Sequence, residues 1–161
     1  MSTAGRARDL SAPDLGPESV SARPSRVVAV VGGALDATVL DLALALSREG
    51  WACLDLLLMA EAPALFPFRA FAEHILAPAA EQALARAERS CAEVPGESQI
   101  VICRDLAMAL VAEIRARRAT DVVVSAPSGT WWRQWRLRRA ITRLRAGAEC
   151  RVYVVHKTTV S

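Results

Sequence analysis

The sequence predicts a single α/β domain, with five strands in one parallel sheet between two helix layers. Three observations carry that reading. Short runs rich in valine, isoleucine and leucine alternate with longer stretches whose apolar residues recur at helical spacing. The runs are apolar at consecutive positions, as strands covered on both faces must be. At 161 residues, 53% hydrophobic and 23% charged, the chain can bury one real core and is too short to expect two.

Taken in order, "RVVAVV" (Arg26–Val31) is a buried strand stopped by Gly32 and Gly33. "DATVLDLALALSREG" places Val39, Leu40, Ala43, Leu44 and Ser47 on one helical face, with Asp36 as N-cap and Gly50 as terminator. "WACLDLLLM" (Trp51–Met59) is the second strand, so the chain opens strand, helix, strand, the unit of a parallel sheet with a right-handed crossover. "EAPALFPF" is a loop by its prolines. An alanine-rich helix is expected from Arg69 to about Glu93, kinked or interrupted at Pro78. "SQIVICR" (Ser98–Arg104) is the third strand. "DLAMALVAEIRARRA" is a helix with Asp105 at its front and Arg115, Arg117 and Arg118 near its end, an arrangement that suits the helix dipole. "TDVVVSA" and "RVYVVH" (Arg151–His156) are the fourth and fifth strands.

Several function classes are disfavoured by what the chain lacks. Cys53, Cys91, Cys103 and Cys150 stand singly, in no zinc or disulfide spacing, and read as reduced thiols of a cytoplasmic protein. His74 and His156 lie far apart, with no nucleophile pattern. Asp36 and Ser125 fall near the edge where doubly wound folds place their sites, but caps and turns explain both. No catalytic residue and no metal site is therefore expected. Residues 1–25 have no apolar run and read as a disordered tail without a secretory signal, followed by a domain over 26–157 and a short tail at 158–161. "CLDLLLMA" is too short for a membrane span and contains Asp55.

The least ordinary stretch is "TWWRQWRLRRAITRLRAG" (Thr130–Gly147), with three tryptophans and six arginines in eighteen residues, and no acidic residue between Asp121 and Glu149. Leu137, Ala140, Ile141 and Leu144 form the apolar face of an outer helix. That face leaves Trp131, Trp132 and Trp135 unexplained. They pack under neighbouring loops near Phe66 and Phe68, or they cover a partner. The net charge of +3 is modest, so the basic cluster points to a local acidic contact rather than to general polyanion binding. The stretch is short for a membrane-surface helix and carries no nucleic-acid motif.

The last forty residues, "TDVVVSAPSG…AECRVYVV", together with five strands and a long second crossover, resemble the universal stress protein family from about Arg26 to His156. The resemblance implies a doubly wound sheet in the order 3-2-1-4-5 with helices on both faces, of the adenine nucleotide alpha hydrolase-like type. It also implies a dimer formed through the last strand. Many members bind ATP through glycine, two residues, glycine, nine residues, glycine and then serine or threonine, where backbone N–H groups approach the phosphates. Here the pattern departs. Aligned on Asp121, the first two glycine positions fall on Ala126 and Gly129. Aligned on Cys150, the closing pair falls on Arg138 and Arg139. The aspartate that usually ends the first strand is replaced by Val31.

The expected function is thus a non-catalytic accessory or adaptor subunit of universal-stress type, with a degenerate ATP site, no bound cofactor and no nucleic-acid partner. Its protein partner is expected at Trp131, Trp132, Arg133, Trp135 and Arg136. The alternative is a stress-response regulator that binds an adenine nucleotide near Gly32, Gly33, Ala126, Ser128, Gly129, Thr130, Arg138 and Arg139, with serine, threonine and arginine side chains in place of glycine amides.

Overall fold

The computed structural model describes residues 3–8, 25–31, 37–62, 67, 77–126, 131–147 and 149–156, with backbone alone at 3–8, 77 and 131–133. Its elements in chain order are β1 (Thr3–Arg8), β2 (Arg26–Val31), α1 (Ala37–Gly50), β3 (Cys53–Glu61), α2 (Ala77–Ser90), β4 (Gly96–Cys103), α3 (Leu106–Arg117), β5 (Asp121–Ser125), α4 (Trp131–Gly147) and β6 (Arg151–Val155). The sheet runs β1-β4-β3-β2-β5-β6. The strands β2 to β6 are mutually parallel and stand in the expected 3-2-1-4-5 order.

One expectation is corrected at the amino terminus. Thr3–Arg8 fall in the stretch read as a disordered tail, yet they form a sixth strand, antiparallel to β4, from Thr3 opposite Val101 to Arg8 opposite Gly96. The sequence "TAGRAR" offers no apolar alternation. An edge strand needs only backbone groups to pair, and by pairing it covers an exposed ladder.

Alternation along each strand builds two cores. Val27, Ala29, Leu54, Leu56, Leu58 and Val123 face α1 and α2, where Val39, Leu40, Ala43, Ala83, Leu84 and Ala87 meet them. Val28, Leu57, Val101, Val122 and Val124 face the other way, against Leu110 and Ile114 of α3 and Ala140, Ile141 and Leu144 of α4. The predicted apolar face of the arginine-rich helix is therefore the face that packs. Boundaries shift slightly from the sequence reading: β3 runs two residues later, to Glu61, and β4 starts two earlier, at Gly96. The described helix α2 has Pro78 in its first turn, where its missing N–H is no loss, and residues 69–76 of the expected helix lie outside the described residues.

The end of α1 also differs from expectation. Gly50 stays in the helix, and Trp51 takes the left-handed position, with φ 51°. The Ala52 N–H donates back to the Ser47 carbonyl at 2.9 Å, the bond that closes this type of helix end. Arg118 closes α3 the same way, with φ 52°. A left-handed L-residue costs roughly 1–2 kcal/mol, of which glycine's extra unfolded freedom returns about 0.5–1. Because Trp51 is 87% exposed, Trp51→Gly is expected to raise stability by about 0.5–1 kcal/mol in urea titrations. A loss of stability would contradict the strain reading and give the indole a packing role.

At the amino-terminal edge of the sheet, Asp55 is wholly buried in β3 on the α3 side. Arg26 Nη1 donates to its Oδ1 and Oδ2 at 2.9 and 2.8 Å, Arg117 Nη1 donates to Oδ2 at 2.8 Å, and the Glu97 N–H donates to Oδ1 at 2.9 Å. Arg117 also donates to Gln99 Oε1 and lies near Glu113 and Glu97. Hydrogen bonding to Asp55 holds the Arg26 guanidinium above its ordinary range, against the opposing pull of burial. This cluster ties β2, β3, β4 and the end of α3 together. The sequence reading took Asp55 only as an interruption of an apolar run and Arg117 only as a dipole partner.

Candidate functional site

In a doubly wound sheet, ligands sit outside the carboxyl ends of the strands, where the order of crossover reverses. Here that point lies between β2 and β5, since α1 leaves to one face and α4 to the other. Of the residues expected to hold a nucleotide there, Gly32, Gly33, Ser128, Gly129 and Thr130 lie outside the described residues, as does the expected N-cap Asp36. The remaining three are placed. The Ala126 N–H donates to the Val155 carbonyl at 2.7 Å, so it extends the β5–β6 ladder. Arg138 and Arg139 lie inside α4, about two turns beyond its start at Trp131, where backbone N–H groups serve the helix itself. None of these three offers a spare amide to a phosphate.

The helix α4 is fixed by its buried stripe, with Ala140 and Leu144 fully covered and Ile141 nearly so. That anchoring turns the opposite side outward. Trp135 is 47% exposed, and the Arg139 guanidinium carbon stands 5.5 Å from the centre of its ring, within cation–π range. Arg136 Nη1 meets Glu61 Oε1 at 2.8 Å, which joins α4 to the carboxyl end of β3. The pair is partly solvated and contributes little beyond geometry, about 0–1 kcal/mol.

These side chains border a cleft of about 190 Å³, completed by Arg104, Asp105 and the first residues of α3. Three guanidinium groups face two carboxylates there. One carboxylate, Asp105, caps α3 by accepting from the Met108 N–H at 3.1 Å, where the sequence reading had it only as an acid suited to the helix dipole. Arg104 and Glu61 belong to the cleft but were absent from the sequence-derived set. Their signal would have been position alone, Arg104 ending a predicted strand and Glu61 opening the loop just after another.

The thiol nearest this edge is inert. Cys103 is buried and donates weakly to the Ala60 carbonyl at 3.6 Å. Burial, then the neighbouring Glu61 and Asp105 carboxylates, push its pKa from 9.0 to about 11. It stays neutral near pH 7, whereas a nucleophilic cysteine needs its thiolate. Burial likewise raises Cys150, with Asp121 adding to the effect. None of the four cysteines forms a disulfide. Among the described residues no group of three histidine, cysteine or carboxylate side chains is placed to hold a metal, and no helix is long and apolar enough to cross a membrane.

Of the residues expected to contact a partner, Trp135 and Arg136 are exposed. Trp131, Trp132 and Arg133 open α4, and their side chains lie outside the described residues. So do Phe66 and Phe68, the suggested internal cover.

No protein-family model and no curated protein matches the chain. Solved structures do. A universal stress protein from Archaeoglobus fulgidus superposes with TM-score 0.62 at 14% identity, over 81% of this chain and 93% of that one. A universal stress protein in complex with cAMP gives TM-score 0.57 at 16% identity, over 85% and 100% of the two chains. The Archaeoglobus fulgidus protein in complex with dAMP gives 0.57 at 17%, over 83% and 98%. At these identities the likeness is one of fold: a doubly wound sheet of five parallel strands, here extended by β1.

Proposed function

We propose, from a fold shared with universal stress proteins, that this chain is a non-catalytic accessory protein of that kind. In this reading it recruits a protein partner through the opening turns of α4, at Trp131, Trp132, Arg133, Trp135 and Arg136. The observation that carries the reading is the course of α4. The helix is continuous from Trp131, so the positions matched to the family's closing Gly-Ser pair, Arg138 and Arg139, are helix interior instead of phosphate cradle. Tryptophan and arginine are the residues most enriched at interface hot spots. Supporting details are the half-exposed Trp135 and the acid-free run of arginines along α4.

The same reading pairs β6 with a second copy. Its side chains from Val152 to Val155 are only partly covered, and it forms the sheet edge opposite β1. It also sets the protein in the cytoplasm, where cysteines that form no disulfide stay reduced.

A second reading, an adenine-nucleotide-binding regulator, is favoured by the cAMP and dAMP complexes among the similar structures and by the arginines of the cleft. Thermal unfolding with ATP and ADP separates the two. The accessory reading expects no change in Tm with millimolar nucleotide, together with a partner that co-purifies with the wild type and is lost on Trp132→Ala. A nucleotide-dependent rise of several degrees, abolished in the Arg138→Ala/Arg139→Ala double variant, would establish the second reading.

A further inference from the structure

We propose that the seam between α3 and α4 is a docking groove for an acidic, amphipathic segment of a partner protein. This rests on the reading of α4 as a contact surface and extends it onto α3, with a stated partner chemistry. Two cavities follow one another along the seam. The 190 Å³ cleft lies at the carboxyl edge, between Leu106 and Ala107 of α3 and Trp135, Arg136 and Arg139 of α4. A second, of about 430 Å³, continues between Met108, Val111 and Ala112 on one side and Arg143, Ala146 and Gly147 on the other. On α4 the bordering positions 135, 139, 143 and 146 advance by three or four residues, so they form one stripe of the helix.

Floor and rim differ in character. Among the described residues, three large apolar side chains are exposed, and two of them, Met108 at 61% and Trp135 at 47%, border this seam. Around them stand the guanidinium groups of Arg104, Arg136, Arg139 and Arg143, with Arg115 at the far end. The carboxylates along the seam are Glu61, engaged by Arg136, and Asp105, engaged as a cap. Arg115 Nη2 donates to the Gly147 carbonyl at 3.0 Å and closes the lower end. A Cβ at position 147 would come within 2.7 Å of that nitrogen, so glycine permits the closure.

The mainly apolar lining of the larger cavity, beside the arginines of the smaller cleft, selects a segment that presents apolar side chains on one face and carboxylates beside them. A second copy seated on this face would set arginine against arginine, which disfavours self-association here. From Ala107 to Arg115 the seam runs about 12 Å, room for roughly two turns of a bound helix.

The test uses the full chain, labelled with nitrogen-15, titrated with a synthetic helix-forming peptide. The peptide carries leucine every third or fourth position and glutamate between. Saturable amide shifts are expected along both Leu106–Arg115 and Trp135–Gly147. Met108→Glu and Arg143→Glu, both at the surface, should each weaken binding about tenfold or more while leaving Tm unchanged. Shifts confined to the opening turns of α4, with α3 silent, would overturn the groove and leave the reading of α4 standing. An absence of shifts at millimolar peptide would overturn it too. So would equal binding of a lysine-for-glutamate peptide, or tighter binding at the same residues by phosphatidylglycerol vesicles or single-stranded RNA.

Discussion

Asp55→Ala is expected to destabilise the fold by about 3–5 kcal/mol, because it strands Arg117 in a buried position without its main counter-charge. The Arg117 side chain is only 8% exposed, and Asp55 is its closest carboxylate at 2.8 Å. Removing Asp55 also takes the acceptor from the Glu97 N–H at the start of β4 and from Arg26 at the start of β2. For a chain of this length the loss corresponds to a fall in Tm of roughly 10 °C. Asp55→Asn keeps an oxygen for the Glu97 amide and should fall between wild type and alanine. Arg117→Ala should cost less than Asp55→Ala, since Asp55 keeps Arg26 and the amide. Urea titrations of the three variants provide the check, and a loss below about 1 kcal/mol for Asp55→Ala would contradict the role given to the cluster.

Leu144→Ala is the second large effect. Leu144 is completely buried against the sheet, in the core shared with Val122, Val124, Leu110 and Ile114. Truncating a buried leucine costs about 2–5 kcal/mol, from lost transfer energy and the cavity left behind. Arg138→Ala, on the exposed side of the same helix, should change stability by no more than about 0.5 kcal/mol. The contrast tests whether α4 is held by its apolar stripe and leaves its arginines available outside. Similar losses at both positions in urea titrations would mean that the basic face is itself part of the packing.

How far the sequence disclosed this molecule depends on whether a feature is local. The five parallel strands were legible because each is a continuous apolar run, such as Val27–Val31 or Val122–Val124, and only a strand covered on both faces tolerates that pattern. The buried stripe of α4 was legible from the spacing of Leu137, Ala140, Ile141 and Leu144. The strand β1 was not, since an edge strand held by backbone pairing needs no apolar alternation. Asp55 and Arg117 are 62 positions apart, so nothing local joined them. The left-handed conformation at Trp51 was masked by Gly50, which takes that role in most helix ends.

For the site, the arginine and tryptophan stretch was visible as composition, while its geometry was not. The fold makes Trp131 the first helical residue and carries Arg138 and Arg139 well inside. Cleft residues contributed by other strands, Glu61 and Arg104, were out of reach because they meet α4 only through the tertiary fold.

The central question for this molecule is whether α4 leaves room for a backbone phosphate cradle. Titration of the nitrogen-15-labelled chain with ATP, read at the amides from Ser128 to Arg139, decides it. These resonances are expected to stay in place at millimolar ATP. Saturable shifts concentrated on Ser128 to Trp131 would contradict that expectation and make the chain a nucleotide sensor.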